Sequence, residues 1–183
     1  MANARTPRDE WIRAGLNALE RGGPGAVRVE SIASTLGVSK GGFYGYFSGR
    51  DQLLDEMLAT WQHEAANAVI TEVEAAAGDA TARLAALHQS VDARADRTGL
   101  ELAVREWGRR DPAVARRLAQ VDAARMDYLR ELFLEVTGDE EEALTRAATV
   151  LAVWMTGYLM RYDCAGRTHD EIKNLTMQRT LDR

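Results

Sequence analysis

The chain has little proline, three residues in all, and a single cysteine, Cys164. One thiol excludes an internal disulfide framework and suits a reducing compartment. Runs of β-branched residues are scarce, so no segment reads as an alternating strand. Ala, Leu, Arg and Glu dominate instead and favour helix almost throughout. No apolar run reaches the roughly 20 residues that a spanning helix needs; the longest is Val150 to Met160. Residues 2–10 (ANARTPRDE) are polar and no apolar stretch follows, so no secretory signal is expected. The chain reads as cytoplasmic, with no membrane partner. It has no Gly-rich phosphate loop after a strand, no nucleophile elbow and no His pair at metal spacing. His169-Asp170 near Cys164 offers metal-ligating types without a regular motif. The expectation is a protein that is not an enzyme and carries no metal and no cofactor.

Charge is present but unevenly placed. The net charge is −5. Residues 1–50 hold seven Arg and Lys against four Asp and Glu, whereas residues 51–183 hold sixteen against twenty-four. A mildly basic head on an acidic body can aim that head at phosphate while the body is repelled. The apolar fraction of 46% is enough for a real core and argues against disorder.

Helix signals divide the chain. Thr6-Pro7 opens a first helix, with Thr6 as candidate N-cap and Pro7 at the first helical position. Trp11, Ile12, Leu16 and Leu19 recur at helical spacing, and Arg21-Gly22-Gly23-Pro24-Gly25 ends the pattern. A long helix is expected from Arg50 into the 70s, with Leu53, Leu54, Met57, Leu58, Trp61 and Val69 as its buried stripe. Gly78-Asp79 breaks it, Leu84, Leu87 and Val91 mark the next helix, and Thr98-Gly99 the next break. A short helix from Leu100 to Trp107 follows. Asp111-Pro112 should then cap a long helix carrying Val114, Leu118, Val121, Leu129, Leu132, Phe133 and Val136. Thr137-Gly138-Asp139 ends it. A helix from Glu140 to Tyr162 and a last one from about Thr168 complete an all-α chain.

The most informative segment runs from Arg28 to Leu54, RVESIASTLGVSKGGFYGYFSGRDQLL. It reads as two short helices joined by a turn at Gly37-Val38-Ser39. Val29, Ile32, Ala33 and Leu36 form the inner face of the first. Gly37 suits a left-handed closing position, Val38 packs beneath the turn, and Ser39 is the N-cap of the second helix. Phe43 and Phe47 stand at i, i+4 and point inward together, whereas Lys40 and Tyr44 point outward on another face. Gly41, Gly42 and Gly45 each disfavour helix by about 1 kcal/mol relative to Ala. Close approach to a groove would offset that at Gly41 and Gly45, with Gly42 turned partly sideways; crowding against the first helix is the alternative. A short helix held by its neighbours, with a polar outer face, is what a DNA major groove accepts.

This segment resembles the DNA-binding head of the tetracycline-repressor-like (TetR) regulators. The shared pattern is Val29, Ile32, Ala33, Gly37, Val38, Ser39, Phe43, Tyr44, Tyr46, Phe47 and Arg50. The later stretch REWGRRDPAVARRLAQVDAARMDYLRELF resembles that family's ligand-binding domain more loosely. Two positions depart from the pattern. Tyr46 stands where a histidine is usual; its hydroxyl can donate to phosphate. Arg28 stands where a threonine is frequent; it cannot cap by accepting an amide proton, yet can reach a phosphate. The resemblance implies Ser39, Tyr44, Tyr46 and Arg50 as backbone-positioning groups. Lys40 and the rim near Gly41 and Gly45 are where bases would be read. With Arg28 and Gly42 these make the candidate DNA contacts.

The division expected is a helix-turn-helix head over residues 1–49 and a helical ligand-binding and dimerisation domain over 50–183. The helix after Glu140 is apolar nearly all round over Ala147–Met160, which suggests a second burial partner beyond the core. The resemblance implies that the last two helices pair across a two-fold axis in a homodimer, with Leu151, Met155, Leu159, Ile172 and Leu175 at the interface. Trp61, Trp107, Met126, Tyr128, Trp154 and Tyr158, with His63, His88 and Arg105 as polar groups, are the candidate lining for a small-molecule effector. The expectation is therefore a ligand-responsive regulator, a repressor by family habit, binding a palindromic double-stranded operator. The alternative is a helical small-molecule-binding or scaffold protein whose head no longer binds DNA.

Overall fold

The structure, a computed structural model, describes residues 6–76, 78–94 and 97–181, with Tyr158 described in its backbone alone. Its architecture is all-α. In chain order the helices are α1 (Arg8–Gly22), α2 (Val29–Thr35), α3 (Lys40–Phe43), α4 (Arg50–Gln62), α5 (Ala68–Ala75), α6 (Ala80–Asp92), α7 (Thr98–Gly108), α8 (Pro112–Thr137), α9 (Glu140–Leu159) and α10 (His169–Leu181). A 3-10 turn (Pro24–Ala26) precedes α2, and a π-helical turn (His63–Asn67) lies between α4 and α5. The chain forms two compact units, Met1–Ala65 with Asp96–Ala119, and Ala66–Ala95 with Gln120–Arg183.

In the first unit, α1 turns Trp11, Ile12, Leu16 and Leu19 inward as the sequence spacing requires. α4 answers with Leu53, Leu54, Met57, Leu58 and Trp61, all buried. The two helices approach closely at Gly15, where an added Cβ would lie 2.6 Å from the Met57 sulfur. A glycine in mid-helix thus makes room for a methionine, a contact that periodicity alone does not reveal. Val104 of α7 and Val114 and Leu118 of α8 are buried as well. The Asp111-Pro112 start of α8 is as expected: the Asp111 carboxylate accepts from the Ala113 amide at 2.9 Å.

In the second unit, the core gathers Val69, Val73, Leu84, Leu87, Leu129, Leu132, Phe133, Ala143, Ala147, Val150, Trp154 and Met177. Asp79 and Asp139 cap α6 and α9 by accepting from the amides three residues on. Gly138, at φ +68°, ends α8 with a bond from its amide to the Leu134 carbonyl. At α10, Thr168 and Glu171 form a reciprocal capping box: the Thr168 amide donates to the Glu171 carboxylate at 2.7 Å, and the Glu171 amide to the Thr168 hydroxyl at 3.3 Å.

Four boundaries differ from expectation, one being that the single helix expected from Arg50 into the 70s is divided into α4 and α5 by the π-helical turn. Pro7 occupies the N-cap place of α1 and makes no side-chain cap, so Thr6 is not the cap and Pro7 is not the first helical residue. With φ fixed and no N–H, proline fits either place, which leaves the register open by one. Thr98-Gly99 does not break the chain but begins α7; glycine in a first turn still leaves the later amides to set the helix. Lastly, α9 ends at Leu159 rather than Tyr162, with Met160 extended at φ −133°, ψ 139°. Beyond it, Ala165 and Gly166 adopt positive φ in a tight turn between Cys164 and Arg167, whose backbones bridge each other.

Candidate nucleic-acid interface

The turn between α2 and α3 is a Schellman closure. Gly37 sits at φ +67°, its amide donating to the Ser34 carbonyl at 3.1 Å, while the Val38 amide reaches back to Ala33 at 3.0 Å. A side chain at position 37 would be strained by that backbone alone. The closure turns the chain into α3, whose inner residue Phe43 is fully buried. Its ring stacks on Phe47 at 5.0 Å and meets the Trp11 edge at 5.4 Å. Aromatic packing against α1 therefore anchors a helix of four residues that could not persist alone.

Because Phe43 and Phe47 face inward, the opposite side faces solvent. Lys40 is half-exposed and Tyr44 is 59% exposed, the large side chain most available on this face. Gly41 and Gly45 are exposed and Gly42 half-buried. A Cβ on Gly41 would find only the Ser39 hydroxyl, at 3.7 Å, and one on Gly42 only the Trp11 ring, at 3.8 Å. Both are ordinary contact distances. Crowding against the rest of the fold therefore does not explain these two glycines.

Each cation of this region has a partner within the fold, but the partners differ. Arg50 is committed: its Nε donates to the Val27 carbonyl at 2.7 Å and its Nη2 to the Pro24 carbonyl. It ties the start of α4 to the loop before α2, a structural duty that the sequence pattern did not suggest. Arg28 is exposed at the N-cap of α2, makes no cap and donates to the Gly25 carbonyl at 3.2 Å. Lys40 holds an ion pair with Glu30 of α2. The hydrogen bond between them raises the lysine above its ordinary range and, from the other side, lowers Glu30. Both stay ionised at neutral pH. Ser39 takes the extended conformation of an N-cap, but its exposed hydroxyl makes no cap bond. The Tyr46 ring is half-buried and tilted against Phe47 at 6.4 Å.

The candidate effector residues fall in both units. Trp61, His63, Arg105 and Trp107 belong to the first, where Trp61 is buried, His63 exposed and the other two half-buried. Arg105 is paired at 2.7 Å with Glu101, itself buried. His88, Met126, Tyr128 and Trp154 belong to the second. Trp154 is core, and both its indole nitrogen and the Nδ1 of His88 are buried without a hydrogen-bond partner. The Tyr128 hydroxyl donates to Glu74 at 2.6 Å, and burial together with that carboxylate pushes its ionisation far above the ordinary range. Tyr158 lies outside the described side chains. On the proposed dimer face, Leu151, Met155 and Ile172 are half-buried, Leu159 is 70% exposed and Leu175 36%. Among the described residues no cluster of His, Cys, Asp or Glu could hold a metal, and no helix is long and apolar enough to cross a membrane.

A short anchored helix behind a Gly-Val-Ser turn, with its lysine and tyrosine turned outward, defines a helix-turn-helix unit. Residues 12–57 match the family model of bacterial regulatory proteins, tetR family. That match covers 46 of the 183 residues, so the likeness in sequence rests on this first part of the chain. Solved structures extend the likeness in fold to nearly the whole chain. A TetR-family transcriptional regulator from Streptomyces coelicolor is 19% identical, with a TM-score of 0.71 over 95% of this chain and 93% of its own. A regulator of the TetR/AcrR family from Thermobifida fusca is 20% identical, with a TM-score of 0.63 over 96% of both chains. A transcriptional regulator from Rhodococcus sp. Rha1 gives 20% and 0.67 over 96% and 92%. No curated protein matches the chain.

Proposed function

We propose that the chain is a TetR-family transcriptional regulator, a repressor that binds a palindromic operator as a homodimer in the cytoplasm and is released by a small molecule. The head, residues 1–49, lays Lys40 to Tyr46 in a major groove, with Gly41 and Gly45 allowing close approach and Arg28, Ser39, Tyr44 and Tyr46 meeting phosphate. Arg50 acts here by bracing the loop ahead of α2. The remainder, residues 50–183, carries the effector site and the dimer face. The observation that carries the DNA reading is the division of the α3 segment into a sealed aromatic inner side and an open Lys40–Tyr44 outer side.

Pairing of two copies is supported by the aliphatic stripe Leu144, Leu151, Met155 and Leu159 on α9, with Leu175 on α10. The effector reading is supported by the unpartnered polar atoms of Trp154 and His88, which a ligand would satisfy. That ligand must favour one arrangement of the heads, because equal affinity for both would shift nothing. The test is binding of the full chain, at physiological salt, to duplex DNA from upstream of its own gene and to random duplex. Preference for the upstream fragment is the expected result. Equal or absent binding to both would leave a helical carrier or scaffold as the better reading.

A further inference from the structure

Glu30 is the second residue of α2 and Lys40 the first of α3, so the helix-turn-helix closure brings a carboxylate and an ammonium together at the edge of the DNA-facing side. Their side chains remain 66% and 49% exposed. Exposed ion pairs contribute little to stability, because water screens them and two long side chains must be held in one geometry. Holding the fold together is therefore a weak account of this one, since Phe43, Phe47 and Trp11 already anchor α3. The pair's larger consequence is for the lysine. An ammonium is a point charge that any phosphate attracts, and phosphate attraction is what makes DNA binding indifferent to sequence. With Glu30 beside it, Lys40 offers no net charge to a backbone until the carboxylate is left behind.

We infer that Glu30 is a specificity-determining residue: by occupying Lys40 it suppresses sequence-independent binding to DNA and reserves the ammonium for a site whose contacts can displace the carboxylate. This rests on the operator-binding reading above. Glu30 needs no DNA contact of its own for this role; Arg28, two residues away, donates to the Gly25 carbonyl and acts on the carboxylate through its charge alone.

The test uses the full chain and a random-sequence duplex, so no operator need be known. Glu30→Gln should bind the random duplex several-fold more tightly at low salt. Its log K against log salt should be steeper by about 0.9, one more phosphate neutralised. Glu30→Gln combined with Lys40→Ala should return to the wild-type slope, because the freed ammonium is the source of the gain. A merely structural pair would lower thermal stability in Glu30→Gln and leave the slope unchanged. Wild-type binding with an unchanged slope in Glu30→Gln, or a gain that persists without Lys40, overturns this inference alone. Failure of wild type and Glu30→Gln alike to bind duplex DNA at any salt overturns the operator-binding reading and this inference with it.

Discussion

Two parts of the molecule leave large side chains in solvent, and they do so in different company. On the α3 segment, Tyr44 stands among Lys40, Gly41 and Gly45. On α9 and α10, Leu144, Leu159 and Leu175 are exposed, with Leu151 and Met155 half-buried at helical spacing along α9. The first surface offers a hydroxyl, a cation and bare backbone, groups that meet phosphates and base edges. The second offers aliphatic area at helical spacing, which water disfavours and another helix would cover. Exposure is common to both; the neighbouring chemistry is what separates the proposed nucleic-acid surface from the proposed protein surface.

The sharpest way to break this contrast is to charge the aliphatic side. Leu159→Glu should convert the proposed dimer to monomer on sizing while leaving helical content intact, since the side chain is 70% exposed in the single chain. Binding to a palindromic duplex should weaken with it. An unchanged dimer would move the interface off α9. A smaller and subtler effect is expected on the other side. Gly41→Ala meets only the Ser39 hydroxyl at 3.7 Å, so it should fit the fold and raise stability by up to about 1 kcal/mol through helix propensity. Duplex binding should fall several-fold if that glycine exists for groove approach. A variant that gains stability and keeps full affinity would show that the backbone at position 41 is not in the groove.

What the sequence made legible follows from how local each signal is. Gly37 at a left-handed closure, Asp111-Pro112 at a helix start and Phe43 with Phe47 one turn apart all act within a few residues, and each stands as read. The contacts that were not legible join distant segments. Arg50 reaches carbonyls 23 and 26 residues back. Its pattern position matched a phosphate-binding role, but two of its donors serve the loop ahead of α2. Glu30 was unremarkable as a surface residue of α2 until the turn folded Lys40 against it. The π-helical turn at His63–Asn67 interrupts a hydrophobic stripe that otherwise reads as one helix from Arg50 to Ala75. One extra residue per turn leaves no compositional trace. The end of α9 at Leu159 was missed for a related reason: Met160 and Tyr162 continue the apolar pattern, and the departure of the backbone is visible only in the extended φ and ψ of Met160.

The central claim is that the Tyr44 side meets DNA and the Leu159 side meets a second copy of the chain. Replacing each position in turn with a photoreactive phenylalanine and irradiating the full chain with labelled duplex tests it most directly. The account predicts a protein–DNA adduct from position 44 and a protein–protein adduct of twice the chain mass from position 159. DNA adducts from position 159 with none from position 44 would contradict it.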